Sequence, residues 1–286
     1  MTIQSVRQYV VAEDDGGTWF ATWRKSPTQT TVAGIWYDLG MATGNPAPNY
    51  YAATPLRSKA LARSTDGGLD HGGSVSPSKK CLKEFCIIGS AGVPITFLLC
   101  DYLLYYPFVD MDNTDVVTVE PLSRYADGFG VQIMAIQVFS QSGVGSPKFQ
   151  VQYTNSDGTA GRLTELVSCN TLTIPGNVIT THAVQPAGYC HSASPFIPLQ
   201  RGDRGVRSIQ SVIWQTPDVG LVALVLCKPL EMTLLREITA PVERNCLADF
   251  NKMPEIQDDA YLNLLCCPSG SIASAQFHGY LKTIWG

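Results

Sequence analysis

The chain has 286 residues, a formal net charge of −4, and 15% charged residues against the roughly 25% usual for soluble domains. No run of Lys or Arg marks a nucleic-acid partner, and the longest apolar stretches are cut by Asp101 or end at Lys228, too early to span a bilayer. Apolar residues make up 45%, enough for a sizeable core, and a surface this poor in charge points to partial coverage by other subunits.

The first fifteen residues lack a basic-then-apolar signal design, and no N-x-S/T sequon occurs, so synthesis in a cytoplasm without secretion is expected. Residues 1–60 differ from the rest. Short strands are expected over 18–23 and 31–39, but Pro46, Pro48 and Pro55 forbid regular helix and favour extended backbone. Trp19, Trp23, Trp36, Tyr37, Tyr50 and Tyr51 crowd this segment. It reads as an extended arm, 1–60, ahead of a β-sandwich domain, 61–286. Its aromatic residues either cover the chain's own sandwich or lie on a neighbouring subunit, since interfaces enrich Tyr and Trp. The six are the candidate arm interface. Residues 63–80 form a long loop with Gly67, Gly68, Gly72 and Gly73, a length often tied to function.

Strand signals then become frequent. Residues 82–88, 93–109, 131–139 and 149–153 are rich in branched and aromatic side chains. Asp101–Tyr106 fits a strand or a helical turn. Asn155-Ser156-Asp157-Gly158 is a turn signal, with 163–167 pairing back. Strands are also expected over 171–174 and 178–184. Residues 206–214 and 221–227 read as the two arms of a central hairpin, turned at Pro217, Asp218 and Gly220, with the second arm buried on both faces. Residues 230–236 are ambiguous, 243–250 suit one helical stretch, 261–266 a strand, and 273–282 alternate with period two. About a dozen strands argue for an all-β fold, a β-sandwich of jelly-roll type.

Chemistry is sparse in the pattern. The four histidines are His71, His182, His191 and His278, and a Cys190 nucleophile with His182 or His191 has little support. No zinc spacing, nucleotide-binding or hydrolase motif appears. Residues 110–115 resemble a calcium loop but lack its sixth-position Gly and its twelfth-position Glu, where Pro121 stands. Arg201-Gly202-Asp203 spells an adhesion motif and reads better as a tight turn. The expectation is a non-enzyme with no cofactor, no metal and no small-molecule substrate. Nine cysteines cannot all pair internally. Cys100 and Cys227 lie in apolar runs and read as core, whereas Cys81, Cys86, Cys190, Cys246, Cys266 and Cys267 lie near turns.

Several stretches resemble virion structural proteins of tailed bacteriophages. They are residues 36–39 with Pro48-Asn49-Tyr50-Tyr51-Ala52, 100–110, 153–158, Pro198-Leu199-Gln200 with Gly202-Asp203 and 205–208, 225–230, and 259–264. The likeness is spread over most of the chain, and it implies a structural role with no active site to carry over. It implies a place in the virion and leaves the position on the particle open; the expectation is the particle exterior, as a capsid decoration or a neck or collar protein. The partners it implies are further copies of this chain, as a homo-oligomer, and other virion proteins. An alternative is a receptor- or glycan-binding fibre component, with Tyr102–Tyr106 or Tyr50 and Tyr51 lining a groove. The cysteine number departs from the family. Since virions leave the reducing cytoplasm at lysis, the six turn-proximal cysteines become candidates for an intersubunit disulfide.

Overall fold

The computed structural model describes residues 3, 5–27, 29–140, 147–168, 174–179, 194–238, 240–250 and 252–286. The expected strands at 171–174 and 178–184 lie mostly outside the described residues.

The elements in chain order are α1 (Val6–Asp14), β1 (Thr18–Ser26), β2 (Tyr37–Asp38), β3 (Thr43–Asn45), β4 (Lys59–Ala60), β5 (Lys80–Gly89), β6 (Ile95–Asp110), β7 (Asp115–Val116) and β8 (Gln132–Phe139). There follow β9 (Lys148–Asn155), β10 (Arg162–Leu163), β11 (Val167–Ser168), β12 (Val206–Thr216), β13 (Leu221–Leu235), β14 (Val242–Asn245), α2 (Cys246–Phe250), β15 (Glu255–Ile256), β16 (Leu262–Pro268) and β17 (Phe277–Trp285). Ser5 caps α1 by accepting from Gln8 N at 3.2 Å. The strands form three antiparallel sheets. Sheet A runs β14-β5-β17-β1-β3, with β15 also on β5. Sheet B runs β2-β16-β6-β13-β8, with β4 also on β6. Sheet C runs β10-β9-β12-β7, with β11 also on β9.

Sheet B is the shared layer. Strands β6 and β13, 16 and 15 residues long, are paired along their whole length. Near one end Leu104, Tyr106, Leu224 and Leu226 pack against Phe149, Val151 and Val212 of sheet C. Near the other, Phe97, Leu99 and Leu235 pack against Phe85, Ile87 and Leu281 of sheet A. A third cluster joins Leu98, Cys100, Tyr102, Tyr105, Val225 and Cys227 to Trp36, Tyr51 and Leu61. The inward set changes parity along β6, from Phe97 and Leu99 to Leu104 and Tyr106. The register shifts between Leu226/Cys227 and between Pro229/Glu231 correct the phase, leaving Leu103 and Leu230 as the extra residues.

The all-β, sandwich-type architecture matches the sequence reading; with three sheets, the strand orders do not make the finer assignment of a two-sheet jelly roll. Residues 101–106 and 230–235, ambiguous in the sequence, are strand because pairing partners flank them. Residues 243–250 divide into the end of β14 and the short α2.

Two expectations are corrected. Strands β12 and β13 do not pair as a hairpin: β12 bonds to β9 and β7 in sheet C, and β13 to β6 and β8 in sheet B. The short connection through Pro217 arches across the core, so the two strands meet through side chains such as Val212, Trp214 and Val222. The extended arm is the second correction. β1 sits between β17 and β3, β2 pairs β16, β4 pairs β6, and no boundary falls at residue 60.

Candidate interaction surface

The aromatic residues assigned to the arm are mostly interior. Trp23 and Tyr37 belong to the core beneath sheet A, and Trp36 and Tyr51 to the cluster covering sheet B. Tyr51 also helps to hold a buried carboxylate. Asp38, fully enclosed, accepts from Gly40 N at 2.9 Å, Asn263 Nδ2 at 2.9 Å, the Tyr102 hydroxyl at 3.1 Å and the Tyr51 hydroxyl. Burial pushes the Asp38 carboxyl up, and its donors pull the other way. Trp19 is partly exposed, but its Nε1 donates to Asp70 at 3.2 Å and its ring lies on Gly72, where a Cβ would come within 2.8 Å of it. Tyr50 is exposed. Only Trp19 and Tyr50 of the six therefore keep surface for another chain.

The Gly-rich loop is held by its own chain as well. Buried Lys80, at the start of β5, donates to Gly73 O at 2.6 Å and Gly72 O at 3.3 Å, and stands 3.2 Å from His71 Nδ1. Asp258 accepts from Ser74 Oγ at 2.6 Å and Val75 N at 3.1 Å. These contacts fix a segment whose composition alone favours many conformations.

The cysteine expectation is corrected in part. Cys81 and Cys86 lie in β5, Cys246 opens α2, and Cys266 lies in β16; all four are buried, with free thiols. Burial pushes Cys86 up to about 11 and Cys246 up to about 12, and raises Cys81, Cys266 and Cys267. Nearby Gly and Pro made these positions look like turns, but the side chains pack under neighbouring strands. Cys267 is half-buried, and Cys190, like His182 and His191, lies outside the described residues. Cys100 and Cys227 are core, as expected.

Other candidates resolve into internal structure. The Asp203 side chain turns inward, accepting from Tyr153 at 2.5 Å, Asn155 Nδ2 at 2.8 Å and Arg162 twice at 3.0 Å, so the adhesion-like tripeptide does not present its carboxylate. Burial raises Asp203, but Arg162, Tyr153 and Asn155 outweigh it and hold the carboxyl below its ordinary value. In the acidic loop, Asp115 accepts from Asp110 N at 2.9 Å and Asp110 from Asp112 N at 3.2 Å. Among the described residues no group of three or more His, Cys, Asp or Glu side chains is placed to hold a metal ion. Tyr102, Tyr105, Tyr106 and Tyr51 are buried, so of the tyrosines expected to line a groove Tyr50 is the exposed one.

Several large apolar side chains are exposed. Phe139 is 62% exposed and Val219 63%, at one tip of sheet B where Phe139 pairs Leu221. Val116 is 75% exposed, and α1 displays Val6, Val10 and Val11. Beyond Pro229, β13 leaves Met232 and Leu234 exposed near Ile238. Pairing of β1 with β17 also sets Arg24 opposite His278 and stacks Phe20 against Tyr280, a conjunction that no local sequence pattern signals.

No family model matches the chain, and no curated protein matches it. Among solved structures, a chain from "Structure of infectious bursal disease virus Gt strain" is similar at 7% identity and a TM-score of 0.17. The match covers 94% of this chain and 81% of that one, and a likeness at this level carries no argument for fold or function. No helix among the described residues is long and apolar enough to cross a membrane, which says nothing about crossing with strands.

Proposed function

We propose that this protein is a non-enzymatic structural subunit of a tailed-phage virion, mounted on the particle exterior as a capsid decoration or a neck or collar protein. The observation that supports this reading is the exposed apolar surface at Phe139, Val219 and Val116 on a chain with 15% charged residues. Exposed apolar side chains on a protein this poor in charge are suited to coverage by neighbouring subunits. The placement on a phage particle rests on the sequence resemblance. In this role the protein holds neighbouring subunits together, and Cys267 is the described cysteine with the access needed for a bridge between them.

Mass spectrometry of purified particles, followed by a labelled reconstruction, tests the proposal. Stoichiometric presence with density outside the shell or at the neck is the expected result. Absence from purified virions overturns it. A non-reducing gel of the same particles reports the bridge, as covalent oligomers that collapse with reductant.

A further inference from the structure

We propose that the outer face of sheet A carries a binding site for an acidic saccharide, a sugar ring bearing a carboxylate. The inference stands apart from the assembly reading, because it concerns one face of a single chain. Helix α1 covers only one end of that face, where Ala12 packs on Cys81 and Ile284. Beyond it the face is open among the described residues and holds a cleft of about 410 Å³ lined by Thr22, Arg24, Asn45, His278 and Tyr280 among others. That volume suits one sugar ring.

The chemistry of the lining is polarised. Arg24 of β1 is the cross-strand partner of His278 on β17 and of Asn45 on β3, so the three side chains form one row across the sheet. Neither Arg24 nor His278 has an ion-pair partner among the described residues. Two acids act on the Tyr280 and Cys86 end of the cleft, away from Arg24. Glu84 accepts from the Tyr280 hydroxyl and pairs across the strands with Lys282, while Glu243 stands on β14 opposite Cys86. A guanidinium without an acid, flanked by an imidazole and a carboxamide, offers directed N–H donors to a carboxylate.

The next rows supply a platform for the ring. Tyr280 stacks on Phe20 with centroids 5.1 Å apart, and Phe20 is 56% exposed. An apolar ring face in the rows next to an exposed guanidinium matches a sugar whose C–H face lies on the aromatic pair while its carboxylate reaches Arg24.

The test is an NMR titration of the full-length protein with D-glucuronate, D-glucose and inorganic sulfate in parallel. Glucuronate is expected to give saturable shifts confined to β1, β3 and β17, with glucose much weaker. Arg24→Ala should weaken glucuronate about tenfold, the loss of one charge-assisted pair. Phe20→Ala should weaken glucuronate while leaving any sulfate response unchanged, and both variants should melt like the parent. Three results overturn the proposal: no saturable glucuronate response, glucose binding equal to glucuronate, or an Arg24→Ala variant that binds like the parent. Glucuronate and sulfate binding alike, with Phe20→Ala silent, identifies an adventitious ion only and overturns the saccharide assignment.

Discussion

Lys80 Nζ lies 3.2 Å from His71 Nδ1, and His71 Nε2 lies 2.9 Å from Ala260 O. A carbonyl can only accept, so Nε2 carries the proton and Nδ1 offers its lone pair to the lysine. The ring is neutral, and burial holds its pKa down at about 4, with Lys80 adding to the effect and Ala260 opposing it. The folded value lies below the ordinary value near 6.5. The neutral ring therefore contributes fully above pH 6.5, and that stability is lost as pH falls toward 4. The loss should approach ~3 kcal/mol over this window. Denaturant midpoints measured from pH 7 to pH 4 check this, and His71→Gln should flatten the slope.

Leu224 lies in the interior of β13 between Ala135 of β8 and Tyr106 of β6, with no exposed surface. Leu224→Asp buries a carboxylate among apolar side chains and should cost several kcal/mol, enough to unfold the protein. An unchanged melting temperature would contradict the placement of this strand.

Deletion of residues 1–60 should abolish folding. It removes β1 from between β17 and β3, and takes Trp23, Tyr37 and Tyr51 out of two cores along with Asp38. Each lost aromatic alone leaves a cavity costing about 3–5 kcal/mol. Circular dichroism of the truncated chain decides the matter; a cooperative melt would show that the sheets close without this segment.

Among the seven described cysteines, Cys267 should alkylate first in the native state. Thiol access rather than thiolate fraction separates them, since burial raises the pKa of Cys81, Cys86, Cys246, Cys266 and Cys267 alike. Peptide mapping after a brief maleimide pulse checks the order, and modification of Cys266 ahead of Cys267 would reverse it.

The unbroken apolar run at Leu221–Cys227 was legible because a strand enclosed on both faces needs no alternation. Its partner was not. A short connection containing Pro217 and Gly220 serves a hairpin or an arch equally, and the choice depends on β9 and β6, distant in sequence. Residues 1–60 misled for a related reason. Their aromatic residues enter two different clusters from short strands, so no periodicity accumulates and the segment looks unpacked. Arg24 and His278 could not be joined by reading, because only the register of the first and last strands sets them side by side.

The length of β6 and β13 makes the two sandwiches one mechanical object. Sheets A and C share no strand, yet each is backed by the same pair of continuous backbones. A pull applied at the Phe139 tip of sheet B, where β8 pairs with β13, travels along covalent chain into the region under sheet A, rather than through a yielding interface. Rupture of one half must break the phase of β6 and β13, and so loosens the other.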